Sequence, residues 1–244
     1  NTAMISDRLV GRERELLELT AALQRAKGGS GGAIILAGPP GIGKTRLATE
    51  LAAVAQAECI GVHWGRCWQG DIAPAFWPWA QVLRSMDAED AGSPGLLTAV
   101  RELIGPRTLS SSPGEAKTPT EGFVVLDQLA SAVAAAVRAA PAVVVIDDLQ
   151  WADASSLQAC VHVATTAMSS PLLLIATLRS TDEARRADLA EFARLASRVE
   201  VAELSAEEVD ELLAVALGEQ PRESLLDRVH DTCGGNPFYI RAVA

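Results

Sequence analysis

The chain has 244 residues, 49% of them hydrophobic and 21% charged. That is globular composition, and the length is ample to bury a core without disulfide or metal staples. Lys and Arg number 21 against 31 Asp and Glu, a net charge of −10, so the basic footprint of a nucleic-acid-binding module is missing and direct DNA or RNA binding by this segment is not expected.

In chain order, residues 1–15 are charged and lack the apolar stretch of a secretory leader. Residues 12–27 read as a helix, with Leu16, Leu19 and Leu23 at helical spacing and Gly28 and Gly29 as the stop. Residues 33–37 form an apolar run suited to a buried parallel strand. A glycine-rich loop at 38–45 leads into a helix over 46–57, and 60–64 form a second strand. The stretch 85–121 is weakly patterned, and its Ser-, Pro-, Gly- and Thr-rich part, 110–122, reads as a mobile loop. Residues 123–140 are helical by period (Phe123, Leu126, Leu129, Val133, Val137). The next strand, 142–147, ends in two carboxylates; another, 172–178, ends at Arg179; a short last one lies at 199–201.

Strands alternating with helices predict an α/β protein with a mostly parallel sheet. From Ser205 only helices follow, over 205–217, 221–232 and from Pro237, with Ser205 and Glu208 spaced as a capping box. The expected division is a core over 1–203 and a small α-helical lid over 204–244. The chain stops inside an apparent helix, so we expect a fragment of a longer protein, with Asn1-Thr2-Ala3 a cloning remnant. The most apolar region, 129–146, is broken by Arg138 and Pro141, so no membrane span is expected and the expected location is cytoplasmic. Cys59, Cys67, Cys160 and Cys233 form no CxxC pair and no His–Cys cluster, and read as reduced structural thiols.

The sharpest motif is Gly38-Pro39-Pro40-Gly41-Ile42-Gly43-Lys44-Thr45, a full match to G-x-x-x-x-G-K-[ST]. Polyphosphate needs converging backbone N–H groups. Glycines permit that convergence, and the following helix, with Arg46 in its first turn, aims its N-terminal amides at the same anion. Lys44 would reach the β- and γ-phosphates and the Thr45 hydroxyl would ligate Mg²⁺. Lysine occurs only at Lys27, Lys44 and Lys117, so its presence in the loop is not background.

Val143-Val144-Val145-Ile146-Asp147-Asp148 has the form of a Walker B segment. Asp147 is expected in the magnesium shell, through water, and Asp148 is placed to orient the attacking water. A bland reading, an Asp pair capping the next turn, loses weight once the phosphate loop is present upstream. About a hundred residues separate the two motifs, room for an intervening strand such as 60–64. That spacing and the lack of an Asn-Lys-x-Asp motif favour an ATPase over a GTPase. Arg179, ending a buried strand, would point at the γ-phosphate if that strand neighbours the acid-bearing one. Trp64, Trp68, Trp77 and Trp79 crowd together with Phe76 and Pro78; a small satellite core is favoured over a partner surface. His63, His162 and His230 read as structural.

Leu9-Val10-Gly11-Arg12-Glu13-Arg14-Glu15, Asp147-Asp148-Leu149-Gln150-Trp151-Ala152-Asp153, Ala176-Thr177-Leu178-Arg179 and Gly234-Gly235-Asn236-Pro237-Phe238 resemble the STAND branch of the AAA+ superfamily. More narrowly, they are similar to the ATPase module of large bacterial regulators of the large LuxR and Streptomyces antibiotic-regulatory types. The resemblance implies a three-layer P-loop NTPase core. It puts Val10, Gly11 and Arg12 near the adenine or ribose, Pro237 on the nucleotide from the lid, and Arg179 in a sensor role. It also implies ATP or ADP occupancy setting closed and open states, slow hydrolysis, DNA-binding and sensor or repeat domains outside this chain, and nucleotide-dependent self-association. The expected function is thus a Mg²⁺-dependent ATP switch in transcriptional regulation. The alternatives are a turnover-driven remodeller or initiator-like ATPase, and an ATP-binding scaffold without catalysis.

Overall fold

A computed structural model describes residues 9–70, 74–89, 119–183 and 189–243. The elements run α1 (Glu13–Lys27), β1 (Gly32–Gly38), α2 (Lys44–Ala57), β2 (Gly61–Arg66), α3 (Trp77–Glu89), α4 (Pro119–Ala139), β3 (Ala142–Asp147), a 3₁₀ turn (Leu149–Trp151), α5 (Ala154–Ala167), β4 (Leu172–Arg179), α6 (Ser180–Glu183), α7 (Leu189–Leu195), β5 (Ala196–Glu200), α8 (Ala206–Leu217), α9 (Glu223–Cys233) and α10 (Pro237–Val243). Of the expected mobile loop, 110–118 lie outside the described residues, and 119–122 belong to α4.

The five strands are all parallel, in the order β2-β3-β4-β1-β5. The α/β expectation therefore holds. The strand between the loop-bearing β1 and the acid-bearing β3 is β4, whereas the 60–64 segment forms β2 at the sheet's edge. Chain order could not show this, because β4 comes after both motif strands and inserts between them.

Strand alternation splits the core into two faces. Ile34, Leu36, Val143, Val145, Leu173 and Ile175 pack against α1 and α2. Ala33, Ile35, Val144, Ile146, Leu174 and Ala176 face α3, α4, α5 and α7. The three inner strands are buried except at Gly32 and Arg179, which is why their sequences read as continuous apolar runs; the edge strand β5 exposes most of its residues. The aromatic segment is not a satellite core. Trp79 is fully buried in the main core on one face of the sheet, Trp64 packs on the other, and Trp68 is 61% exposed.

The C-terminal helices have an apolar cluster of their own, made of Leu204, Val209, Leu212, Leu213, Val229, Cys233 and Ile240, into which Val10 inserts from the N-terminal segment. The predicted capping box forms: Ser205 Oγ accepts from Glu208 N, and Glu208 Oε2 accepts from Ser205 N at 2.7 Å. Among the described residues no helix is long and apolar enough to cross a membrane, and no disulfide joins any of the four cysteines.

Candidate functional site

The site lies where β1, β3 and β4 end together. Parallel pairing sets Gly38 of β1 opposite Arg179 of β4, and Ile146 of β3 opposite Ala176 of β4. The loop leaving β1, the acids leaving β3 and the arginine leaving β4 are therefore brought to one edge by register alone.

The loop turns through 39–43 and opens α2 at Lys44, with Gly43 as N-cap in the left-handed region. Gly41 has φ +77°, and a Cβ there would stand 2.8 Å from Phe238 Cβ, so backbone conformation and close approach both demand glycine. Ile42 turns its side chain into the core. Lys44 is only 7% exposed. Its Nζ donates to the carbonyls of Gly38 (2.9 Å) and Pro39 (2.7 Å), which holds the ammonium across the loop. Burial pulls its pKa below the ordinary lysine range, and the nearby Asp148 works against that shift.

Asp147 is 4% exposed at the end of β3. Its Oδ1 accepts from Thr45 Oγ1 at 2.9 Å and from Thr177 Oγ1 at 2.7 Å, while Arg66 Nε lies 3.7 Å from Oδ2. Thr177 also accepts from Asp148 N at 2.8 Å, so one hydroxyl fixes both acids at the strand end. Asp148 bends the chain with φ +57°, a conformation Asp tolerates better than most residues. Its Oδ1 accepts from Gln150 Nε2 at 2.7 Å, and Gln150 Oε1 accepts from Arg179 N at 3.3 Å. Gln150 thus links the second acid to the β4 end. Thr177, Gln150 and Arg66 carry no expected role in the sequence. Thr177 and Gln150 sit inside quoted motifs, yet only strand register shows that they meet the acids.

The Thr45 hydroxyl and the Asp147 carboxylate offer hard oxygen donors side by side. Among the described residues no group of three His, Cys, Asp or Glu side chains could cage a metal. That donor set fits Mg²⁺, which takes one or two protein oxygens and completes its octahedron with phosphate oxygens and water.

Around this centre the remaining expected residues have defined places. Arg179 sets its guanidinium 5.7 Å from the Trp151 ring centroid, in cation–π range. Arg46 pairs with Glu50 at 3.0 Å along α2. Val10 is buried in the C-terminal cluster, and Gly11, with φ +64°, has no room for a side chain beside Leu204 and Glu208. Arg12 is 5% exposed and donates to the carbonyls of Ala202 (2.7 Å), Ile42 (3.3 Å) and Gly11 (3.2 Å). Burial lowers its pKa, opposed by Glu15 and Glu208. Its guanidinium is therefore engaged with main chain at the root of the C-terminal helices. Pro237 is half-buried as the first residue of α10. Its neighbour Asn236 donates from Nδ2 to the Pro40 carbonyl at 3.0 Å, a contact with the loop that the sequence did not signal.

A five-stranded parallel α/β fold with a phosphate-binding loop after β1 and paired acids at the end of β3, with β4 between the two, defines a P-loop nucleotide-binding domain. The sequence matches the AAA ATPase domain family over residues 8–175, and the chain belongs to that family. It is 26% identical over 257 residues to an uncharacterized protein of Rhizobium meliloti (strain 1021), an alignment covering 96% of this chain and 24% of that protein. The chain thus spans about a quarter of that relative's length. Among solved structures it is similar to Cdc6p from Pyrobaculum aerophilum, with TM-score 0.58 and 15% identity, covering 99% of this chain and 62% of that one. It is also similar to a signal transduction ATPase with numerous domains (STAND) that has a tetratricopeptide repeat sensor, from Pyrococcus horikoshii. There the TM-score is 0.54 at 18% identity, covering 95% of this chain and 29% of that one. At these identities the two structures bear on the fold.

Proposed function

We propose that this chain is a Mg²⁺-dependent, slowly hydrolysing ATP switch, with a core over 1–203 and a helical lid over 204–244. The observation that carries this reading is the 2.9 Å hydrogen bond from Thr45 to Asp147, residues 102 apart in the chain. It joins the phosphate loop to the acid strand at the point where a metal-bound triphosphate requires both. Family membership implies nucleotide binding.

In this reading the backbone N–H groups of 41–45 and the Lys44 ammonium take the β- and γ-phosphates. Thr45 and Asp147 hold Mg²⁺. When bound, the ion neutralises phosphate charge and fixes the polyphosphate's orientation. Asp148, kept in place by Gln150 and Thr177, orients the attacking water. Arg179 leaves its stacking position on Trp151 to meet the γ-phosphate, so its partner depends on which nucleotide is present. Gly11, Arg12 and Pro237 border the nucleotide through backbone and ring atoms rather than through a free charged group. The biological output is transcriptional regulation in the cytoplasm, carried by DNA-binding and sensor or repeat domains elsewhere in a longer protein, with self-association governed by nucleotide state. The similarity to the multi-domain STAND structure and the small share of the Rhizobium relative covered by this chain support that view.

Turnover of [γ-³²P]ATP by the purified chain tests the proposal. A Mg²⁺-dependent rate below about one per minute, a slow limit against typical enzymes, is the expected result. Fast turnover makes it a remodeller instead, and tight binding of ATP that stays intact for hours makes it a scaffold.

A further inference from the structure

A loop that converges its N–H groups on phosphate must turn its carbonyls outward. In this chain two of those carbonyls, Pro40 and Ile42, are read by donors connected to the C-terminal helices. Ile42 O accepts from Arg12, which also holds Ala202 O just before α8. Pro40 O accepts from Asn236 Nδ2 at 3.0 Å. Between them, Gly41 lies against Phe238 of α10, closely enough to exclude a Cβ.

The Asn236 carboxamide has both ends committed. Its Oδ1 accepts from Phe238 N at 3.1 Å, capping the start of α10. Phe238 N–H needs an acceptor and Pro40 O needs a donor, so the amide's orientation is fixed by its partners. The residue is 8% exposed, and its main chain is anchored by Asn236 N donating to Cys233 O at 3.0 Å. With the oxygen held by the helix, the NH₂ group has one direction to point, toward the phosphate loop. Serine or aspartate could serve the cap. Serine is too short to span cap and loop together, and aspartate would turn an acceptor toward a carbonyl.

We propose that Asn236 is a positioning residue of the nucleotide site: it latches the tip of the phosphate loop to the C-terminal helices, so that the loop's arrangement and the position of those helices are coupled. The functional side of the claim rests on the ATP-binding reading above. The latch contacts the outer side of the loop and not the phosphates, so it supports ATP and ADP alike. This sets it apart from Arg179, which is placed to distinguish the two.

The test uses the intact chain with Asn236→Ser and Asn236→Asp. Both retain a capping oxygen, so thermal unfolding should stay close to that of the wild type. Hydrogen exchange of the nucleotide-free protein should quicken about tenfold at the amides of 41–43 in both variants, the effect of one lost hydrogen bond. Calorimetric affinities for Mg·ATP and Mg·ADP should fall together by about tenfold, leaving their ratio unchanged. Unchanged exchange at 41–43 in both variants, or a changed ATP-to-ADP ratio in Asn236→Ser, would overturn the latch. If the wild type binds neither nucleotide, the ATP reading fails, while the exchange comparison still decides whether the latch exists.

Discussion

The edge where β1, β3 and β4 end and the helices α8–α10 are built on different principles. At the sheet edge, geometry follows from strand register. Asp147 is locked by Thr45 and Thr177, Asp148 by Thr177 and Gln150, and Lys44 by two loop carbonyls. The C-terminal helices have a separate apolar cluster. They meet the phosphate loop through Asn236 on Pro40, Phe238 against Gly41, and Arg12 bridging Ile42 and Ala202. Rigid geometry suits charge stabilisation, whereas a part with an apolar cluster of its own can move as a unit when its few hydrogen bonds to the loop change. In the proposed function, nucleotide chemistry falls to the first region and its conformational consequence to the second.

Substitutions at the edge should act first on affinity and rate. The largest effect is expected from Lys44→Ala, which removes the buried cation that the proposed site offers to the phosphates. Affinity for Mg·ATP should drop by about a thousandfold, the scale of two charge-assisted hydrogen bonds, as read by titration calorimetry. Next, Asp148→Asn should keep ATP affinity while slowing hydrolysis about a hundredfold, as for loss of a positioned base; single-turnover kinetics separate the two quantities. The pH dependence follows from burial of Lys44, which lowers its pKa in the free protein. Bound triphosphate favours the ammonium and raises that pKa again. Affinity should therefore be flat below the lowered value. It should fall by up to about tenfold per pH unit as pH rises through it, at lower pH than an ordinary lysine would show. Calorimetry across the alkaline range checks this, and Lys44→Arg should abolish the decline.

Smaller effects sharpen the boundary between the regions. Arg179→Ala should cut the preference for ATP over ADP by about fivefold, within the net range of one ordinary hydrogen bond, measured as a ratio of affinities. Ser205→Ala removes the capping box of α8 and should destabilise those helices by about 1 kcal/mol. Hydrogen exchange should rise over 206–217 and remain unchanged in β3. If β3 exchange rises equally, the two regions unfold as one unit and the contrast drawn between them is wrong.

The phosphate loop and the acid pair were legible because their chemistry dictates residue types at fixed spacing: glycines where φ must be positive, a lysine, a hydroxyl, and acids ending an apolar run. The inner strands were legible because burial on both faces leaves an unbroken apolar signature. Strand order was not, since β4 follows both motif strands in sequence and enters between them by a crossover. Thr177, Gln150 and Asn236 were illegible for a related reason. Each is an ordinary polar residue whose role comes from a partner 29 to 196 positions away. Arg12 could be placed near the site by resemblance, but its attachment to the Ile42 and Ala202 carbonyls is a tertiary fact. The tryptophan segment misled because local crowding of aromatics carries no information about which face of a sheet each ring will meet.

The central claim is that Lys44, Thr45 and Asp147 form one Mg·triphosphate site. Calorimetric titration of the chain with ATP, with and without Mg²⁺, tests it most directly when repeated on Asp147→Asn. The account predicts one site per chain, affinity that rises at least about tenfold with Mg²⁺, as expected when a metal bridges protein and phosphate oxygens, and loss of that enhancement in the variant. Absence of binding by the wild type, or a Mg²⁺ enhancement that survives in Asp147→Asn, would contradict it.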